Sequence, residues 1–369
     1  MSPAGGRPRR EEQEPASEEV TEVAPGVLRL QIPIDFTGLG HVNSYALLDD
    51  RGAAVVDVGL PGEATWSAFR SRLATAGIPL GRVHTVVVTH SHPDHFGSAG
   101  RLAHAAGAEL VAEQSFHTFL ERHPQRHLLP EDDTGYAAVL LRARRTPWGG
   151  AFFPTNRRQR LTRRLATYGL VPSMRPPRPS RRVADGEVLH LGGRALRAVH
   201  TPGHTGDHLC LYDPSDGLLL TGDHVLPTIT PHIGGLSPLP DPLGAFLASL
   251  ARLLRLGPTE QVLPAHGHPF TALAGRVDEI VDHHDDRLDR LREIGGGTGQ
   301  ATVAELSRQL FRRPLWGMMA ESETFAHLEF LRRRGEASRV RLEGGELAYS
   351  VDPEGRSSAR EAAFGSLEA

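Results

Sequence analysis

An α/β fold is predicted by two observations on the 369-residue chain. Short apolar runs, each closed by a polar residue beside Gly or Pro, recur through the first 270 residues, and helical spacing takes over after His266. The first kind of segment reads as buried strands that feed loops, the second as helices packed beside them.

The strand best marked is Val83-His84-Thr85-Val86-Val87-Val88, which is rich in β-branched residues. It runs into Thr89-His90-Ser91-His92-Pro93-Asp94-His95, where three imidazoles and one carboxylate crowd into six residues. Loops at strand ends are where rigid scaffolds present chemistry, and so dense a set of ligand-type side chains is hard to explain without a metal. Neutral imidazoles suit zinc, iron or manganese, and a carboxylate adds a harder oxygen ligand and part of the charge compensation. His90 and His92 alternate toward one ion, while Asp94 and His95 on the following turn can face a second. Such a site needs further ligands, and three downstream segments offer them: His200 to Thr205, Leu220 to His224, and Pro264 to Gly267. Each follows a short apolar run, at Ala195–Val199, Leu218–Leu220 and Gln261–Leu263.

The order HxHxDH, then a TPGH segment, a TGDH segment and an AHG segment resembles the metallo-β-lactamase superfamily over roughly Val23 to Phe270. The resemblance implies a four-layer αββα sandwich with metals at one edge of two sheets. It assigns a first metal to His90, His92 and His204, a second to Asp94, His95 and His266, and a bridging role to Asp223. It places Asp57, in Val55-Val56-Asp57-Val58-Gly59, behind the ligands. Two divalent ions, Zn2+ first and Fe or Mn as alternatives, are the implied cofactors. A pair of ions about 3.5–4 Å apart lowers the pKa of a bridging water to roughly 7 and polarises the oxygen under attack. Asp94 and Asp223 are thereby the expected catalytic carboxylates, acting with the metal-bound hydroxide.

Other histidines are weighed singly. His84, His104, His117, His123, His127, His283 and His284 read as surface or core residues. His41, His208, His224 and His232 are intermediate: His41, before an Asn-Ser-Tyr strand start, and His224, beside Asp223, are candidates to line the substrate pocket, with structural hydrogen bonding the favoured role.

Departures from better-known branches narrow the activity. Familiar zinc β-lactamases of the most common subclass carry Cys where this chain has Asp223, and the sequence contains no lysine to bind a β-lactam carboxylate. A bridging Asp with a full HxHxDH motif resembles glyoxalase II-like thioesterases, lactonases and nuclease branches.

Composition fits a soluble enzyme: 39% hydrophobic residues and no apolar stretch resembling a membrane span or secretory signal. The expected location is the cytoplasm. Residues 1–22 read as a disordered tail, residues 23–270 as the catalytic domain, and residues 353–369 as a second disordered tail. The single Cys210 excludes an intrachain disulfide and reads as a core residue.

The net charge of −3 hides an asymmetry. From Arg122 to Arg182 fourteen arginines face three acidic residues, which leaves −14 for the remainder. This basic stretch is expected to be a helical insertion at about 118–182, with helices near 136–145 and 157–168 and a Pro-rich return at 172–179. Its Arg157 and Arg158 are candidates to hold an anionic substrate.

Beyond His266, residues 271–297 read as a connecting helix ending in a Gly295-Gly296-Gly297 hinge. Residues 298–352 read as two helices, Thr302 to Leu310 and Glu321 to Arg334, with a hairpin around Gly344-Gly345. They resemble the winged-helix domain appended to one branch of the superfamily. Eight arginines balance eight acidic residues from Thr298 to Asp352, which argues against DNA binding and for packing over the pocket or a homodimer contact.

The expected function is a dinuclear metal-dependent hydrolase of an ester or thioester, acting on a small anionic substrate. The runner-up is a metal-dependent endoribonuclease or phosphodiesterase of the winged-helix branch. Minor alternatives are a lactonase, a β-lactamase and a non-enzymatic scaffold.

Overall fold

Seven strands pair in chain order to form the first sheet: β1 Val20–Ala24, β2 Val27–Phe36, β3 Leu39–Asp49, β4 Gly52–Val56, β5 Val83–Val88, β6 Glu109–Glu113 and β7 Arg181–Val183. This computed structural model describes residues 10–36, 38–118, 146–150, 165 and 177–365. β1 to β4 form an antiparallel meander, whereas β5, β6 and β7 each run parallel to the strand before. Parallel neighbours need crossover connections. Helix α1 (Glu63–Thr75) joins β4 to β5, and a single turn α2 (Pro93–Phe96) followed by α3 (Ala99–Ala106) joins β5 to β6. Pro93 starts α2 because its fixed φ suits the first helical position, so His92 ends the extended segment and Asp94 and His95 begin the turn.

The second sheet has the order β12-β11-β10-β9-β8, with β8 Val188–Leu191, β9 Arg194–His200, β10 Leu209–Asp213, β11 Leu218–Gly222 and β12 Gln261–Pro264. β12 runs parallel to β11 after a crossover through α4 (Pro242–Leu254). Asp241 starts that helix by accepting a hydrogen bond from the Gly244 amide at 2.9 Å.

Three apolar clusters establish the layers. Val27, Leu47, Val56 and Val87 from the first sheet meet Leu196, Leu211, Leu220 and Leu263 from the second. Trp66, Phe69 and Leu102 of α1 and α3 cover the other face of the first sheet. Phe246 and Leu250 of α4, with Val277 and Ile280 of α5 (Leu273–Thr298), cover the second sheet at Val199 and Leu219. The architecture is therefore the αββα sandwich.

The C-terminal segment holds the two expected helices, α6 (Val303–Leu310) and α7 (Met318–Arg333), and the hairpin of β14 (Ala337–Arg341) and β15 (Leu347–Val351). A short β13 (Ala301–Thr302) pairs with β15 to complete a three-stranded antiparallel sheet. Thr302 and Glu305 form a reciprocal cap at the start of α6, each side chain bonding the other's backbone amide. Leu306, Phe330 and Tyr349 belong to the same apolar cluster as Val199 and Phe246, so this segment shares a core with the second sheet.

Three expectations are corrected here. The glycines 295–297 do not form a hinge: they lie inside α5, where a side chain on Gly295 would come within 2.6 Å of Val351 Cβ. Glycine at that position lets α5 approach β15. The N-terminal tail does not extend to residue 22, because Glu12 is fully buried and accepts hydrogen bonds from the Thr228 and Ile229 amides at 2.7 and 3.0 Å. The C-terminal tail likewise contains a helix, α8 (Ala359–Phe364), whose Ala359 and Ala363 are buried against the helical layer. The helices expected near 136–145 and 157–168, with Arg157 and Arg158, lie outside the described residues apart from the single helical residue 165. Cys210 is buried, and burial pushes its thiol up to about 12.

Candidate metal centre

The structure brings together all seven residues that the resemblance assigns to metal binding. Four separate strand ends deliver them: β5 leads to His90, His92, Asp94 and His95, β9 to His204, β11 to Asp223 and β12 to His266. Two tight groups result, His90, His92, His204 and Asp223 in one, and Asp94, His95 and His266 in the other. Within each group the ligand-type atoms lie within 4.8 Å of one another.

His92 Nδ1 sits 3.0 Å from His90 Nε2 and 2.9 Å from His204 Nε2. Asp223 Oδ2 faces His90 Nε2 at 3.8 Å and His204 Nε2 at 3.4 Å. The same carboxylate reaches the other group, with Oδ2 at 3.4 Å from His95 Nε2 and Oδ1 at 3.2 Å from His266 Nε2. Asp94 Oδ2 is 3.6 Å from both His95 Nε2 and His266 Nε2.

The donor chemistry fits a metal. His95 Nε2, His266 Nε2 and Asp223 Oδ1 are buried without a hydrogen-bond partner among the described residues. Buried polar atoms of native proteins are nearly always partnered, so three such atoms facing one another, with His266 Nε2 and Asp223 Oδ1 3.2 Å apart, form a set able to hold a metal. Meanwhile the far ring nitrogens are held. His95 Nδ1 contacts Asp57 Oδ2 at 2.8 Å, His204 Nδ1 the His232 carbonyl at 2.8 Å, and His266 Nδ1 the His41 carbonyl at 2.6 Å. Such partners fix ring orientation and tautomer.

Asp57 does more than hold His95. It accepts hydrogen bonds from the Thr89 amide and hydroxyl at 2.9 and 2.8 Å, and Thr89 Oγ1 in turn lies 3.0 Å from His90 Nδ1. Its φ of 58° is the one left-handed value at a non-glycine among the described residues, a conformation that persists only where surrounding bonds dictate it. At Gly222, φ is +51° and an added Cβ would lie 2.7 Å from His208 Nε2, so only glycine lets the chain turn there.

Protonation divides the cluster. Burial and the facing imidazoles of His95 and His92 push His90 well below the usual histidine range, and burial with His204 does the same to His92. Those rings are neutral, the form that binds metal. For His95 burial is outweighed by Asp223, Asp94 and Asp57, and for His266 by Asp223 and Asp94, so both are held above that range. Against its own burial, Asp223 is held well below the carboxylate range by His266 and His95. Metal binding at His95 and His266 therefore competes with a proton more than it does at His90 and His92.

His41 and His224 lie in the interior. His41 is fully buried, with Nδ1 2.8 Å from the Glu14 carbonyl and Nε2 accepting from the Gly267 amide at 3.3 Å. It supports His266 from behind. His224 is also fully buried, its ring 4.6 Å from Phe246, and burial pushes it down to about 3. Neither ring is open to a substrate.

Sequence reasoning missed several supports. His208 Nε2 accepts from the Asp223 amide at 3.1 Å while its Nδ1 meets Thr201 Oγ1 at 2.8 Å. Asn43 Nδ2 donates to the Pro264 and Gly267 carbonyls, and Tyr45 to the Pro264 carbonyl at 2.8 Å, tying β3 to the His266 turn. Ser44 Oγ donates to the Asp57 carbonyl at 2.6 Å. The available signal was the polar run Asn43-Ser44-Tyr45 inside a buried strand.

An αββα sandwich carrying a His/Asp cluster at its sheet edge defines a metallo-hydrolase. The sequence pattern of the Metallo-beta-lactamase superfamily matches residues 37–266, and the chain belongs to that superfamily. Among relatives, the "Probable metallo-hydrolase YqjP" of Bacillus subtilis is 26% identical over 317 residues, 83% of this chain and 92% of its own length. The "Atrochrysone carboxyl ACP thioesterase AgnL7" of Paecilomyces divaricatus is 34% identical over 138 residues, 36% of this chain and 41% of its own. A metallo-beta-lactamase family protein from Thermus thermophilus superposes with a TM-score of 0.68 at 29% identity, covering 89% of this chain and all of that one. A beta-lactamase domain protein from Burkholderia ambifaria gives 0.71 at 29%, covering 91% and 96%. No helix among the described residues is long and apolar enough to cross a membrane.

Proposed function

We propose that the protein is a dinuclear hydrolase of acyl thioesters. The observation that carries this reading is the Asp223 carboxylate, which lies between 3.2 and 3.8 Å from four imidazoles drawn from both groups. His90, His92 and His204 would hold one ion, Asp94, His95 and His266 the other, with Asp223 shared. Two bound divalent ions would supply water activation near neutral pH and polarise a carbonyl oxygen. The chain's own contribution is to hold the imidazoles neutral or carboxylate-paired, to fix them from behind through Asp57, His41 and His232, and to fix the Asp223 backbone through His208. The thioester is favoured over other acyl bonds by the relative named a thioesterase, 34% identical to this chain over 138 residues.

The test is hydrolysis of an acyl-thioester panel by metal-loaded protein, with thiol release as the readout and elemental analysis in parallel. About two equivalents of metal and turnover of thioesters are expected. Cleavage of single-stranded RNA or phosphodiesters with thioesters untouched would overturn the substrate class, and one equivalent of metal at full activity would overturn the dinuclear assignment.

A further inference from the structure

A cavity of about 310 Å3 opens between α7, the edge of β14 and the segment leading into α4. Arg332, Arg333, Arg339 and Arg341 line it, opposite a single carboxylate among the described residues, Glu329. That carboxylate is already saturated. It accepts from Arg332 Nε at 3.0 Å, Arg339 Nη1 at 2.7 Å and the Tyr349 hydroxyl at 2.5 Å. Arg333 and Arg341, both exposed, meet only backbone carbonyls among the described residues, those of Pro240 at 2.9 Å and Gly345 at 2.7 Å. Among the described residues the cavity thus carries more positive charge than Glu329 matches, and Phe325, Leu239 and Leu347 supply an apolar wall.

Its position relates it to the metal centre. The His232 carbonyl holds the ligand His204, and the His232 ring faces Glu323 of α7 at 3.4 Å. Gly235, three residues on, lines the cavity, so chain geometry keeps its Cα within about 11 Å of that of His232. Phe325, two residues past Glu323, lines it as well.

We propose that this arginine cavity binds a phosphate or diphosphate group on the thiol carrier of the substrate, an inference that rests on the thioesterase reading. Planar guanidinium groups recognise phosphate oxygens bidentately, and a partly enclosed cavity of this size accommodates a diphosphate. A phosphorylated thiol carrier anchored here adjoins the segment whose His232 carbonyl holds His204.

The experiment is calorimetric titration of inorganic pyrophosphate into the metal-loaded full chain and into the double variant Arg333→Ala/Arg341→Ala. These two arginines are exposed and bond no other side chain among the described residues, so the fold is expected to survive, with a thermal melt as the check. Saturable binding by the parent protein, weakened about tenfold or more in the variant, is expected from loss of charge-assisted contacts. Kinetically, KM for a coenzyme A thioester should rise by a similar factor with kcat retained, while KM for the same acyl group on N-acetylcysteamine stays constant. Competition by phosphopantetheine as well as coenzyme A assigns the phosphate nearest the pantetheine arm; competition by coenzyme A alone assigns the nucleotide diphosphate. No saturable pyrophosphate binding, or equal binding by both proteins, overturns the cavity while leaving thioester turnover intact. Variant-sensitive pyrophosphate binding in a protein that hydrolyses no thioester supports the cavity and overturns the reaction.

Discussion

Two buried histidine clusters are joined through His232 yet are built on opposite principles. On one side, the rings of His90, His92, His95, His204 and His266 turn nitrogens toward a shared pair of carboxylates, and three of the atoms there lack hydrogen-bond partners among the described residues. On the other, His284 Nδ1 meets His327 Nε2 at 3.1 Å, His327 Nδ1 meets the Glu323 carbonyl at 2.8 Å, and Glu323 faces Arg287 at 3.5 Å. There the polar groups mostly bond one another, and the cluster lies in the shared core beside Phe246. Histidine density alone does not mark a metal site. Convergence of unpaired nitrogens on a carboxylate does.

The comparison breaks most sharply at Asp223. Asp223→Ala should lower hydrolysis by about a thousandfold or more, since several kcal/mol of metal-derived stabilisation is lost, and should reduce bound metal by elemental analysis. His327→Gln should leave both unchanged. Equal losses in the two variants would show that the clusters act as one unit.

A smaller effect is expected behind the ligands. Asp57→Asn keeps the size of the side chain but removes the charge that orients His95 and Thr89, so metal affinity should fall about 10- to 100-fold in competition with a chelator. An unchanged affinity would limit Asp57 to a role in the backbone turn.

The last effect belongs to the second cluster and is read in stability alone, with hydrolysis and metal content unchanged. Burial pushes His327 down to about 4, against the opposing pull of Glu323. The folded protein therefore favours the neutral ring more than the unfolded chain does. That contribution is complete above about pH 6.5 and is lost as pH falls through 4, on the order of 3 kcal/mol in all. The decline of Tm between pH 6.5 and 4 should be shallower in His327→Gln than in the parent protein. An identical decline would place the acid sensitivity elsewhere.

Much of the site was legible because its ligands occur in short motifs next to strands. His90, His92, Asp94 and His95 lie within six residues, and Val83–Val88 ends just before them, so local pattern sufficed. The supports were harder to read. His208 acts on Asp223 from fifteen residues away, and Asn43 reaches Pro264 across 221 residues, contacts that no local pattern encodes. His41 and His224 were candidates by adjacency, yet both rings turn into the core. Adjacency in a strand or tight turn does not give direction, because successive side chains point to opposite faces.

The C-terminal segment shows the same division. Thr302 and Glu305 announce the start of α6, and Gly344-Gly345 the hairpin, since caps and turns are local chemistry. Whether three glycines after a helical run make a hinge depends on what packs against them, and the proximity of Val351 resolved that in favour of continuous helix. Charge counting over the same segment gave an even balance, and the balance is real. Only folding sorts it in space, drawing four arginines around one carboxylate at a single cavity.

By itself the sequence determined the superfamily, the order of strands that carry ligands and the identity of the seven candidate ligands, because metal-binding residue types in fixed spacing are a local, one-dimensional signal. The tertiary structure alone decided which ring nitrogens face inward, which buried groups support them and where surplus charge collects. Those properties depend on contacts between residues far apart in the chain, which burial and close packing settle only when the sheets and helices come together.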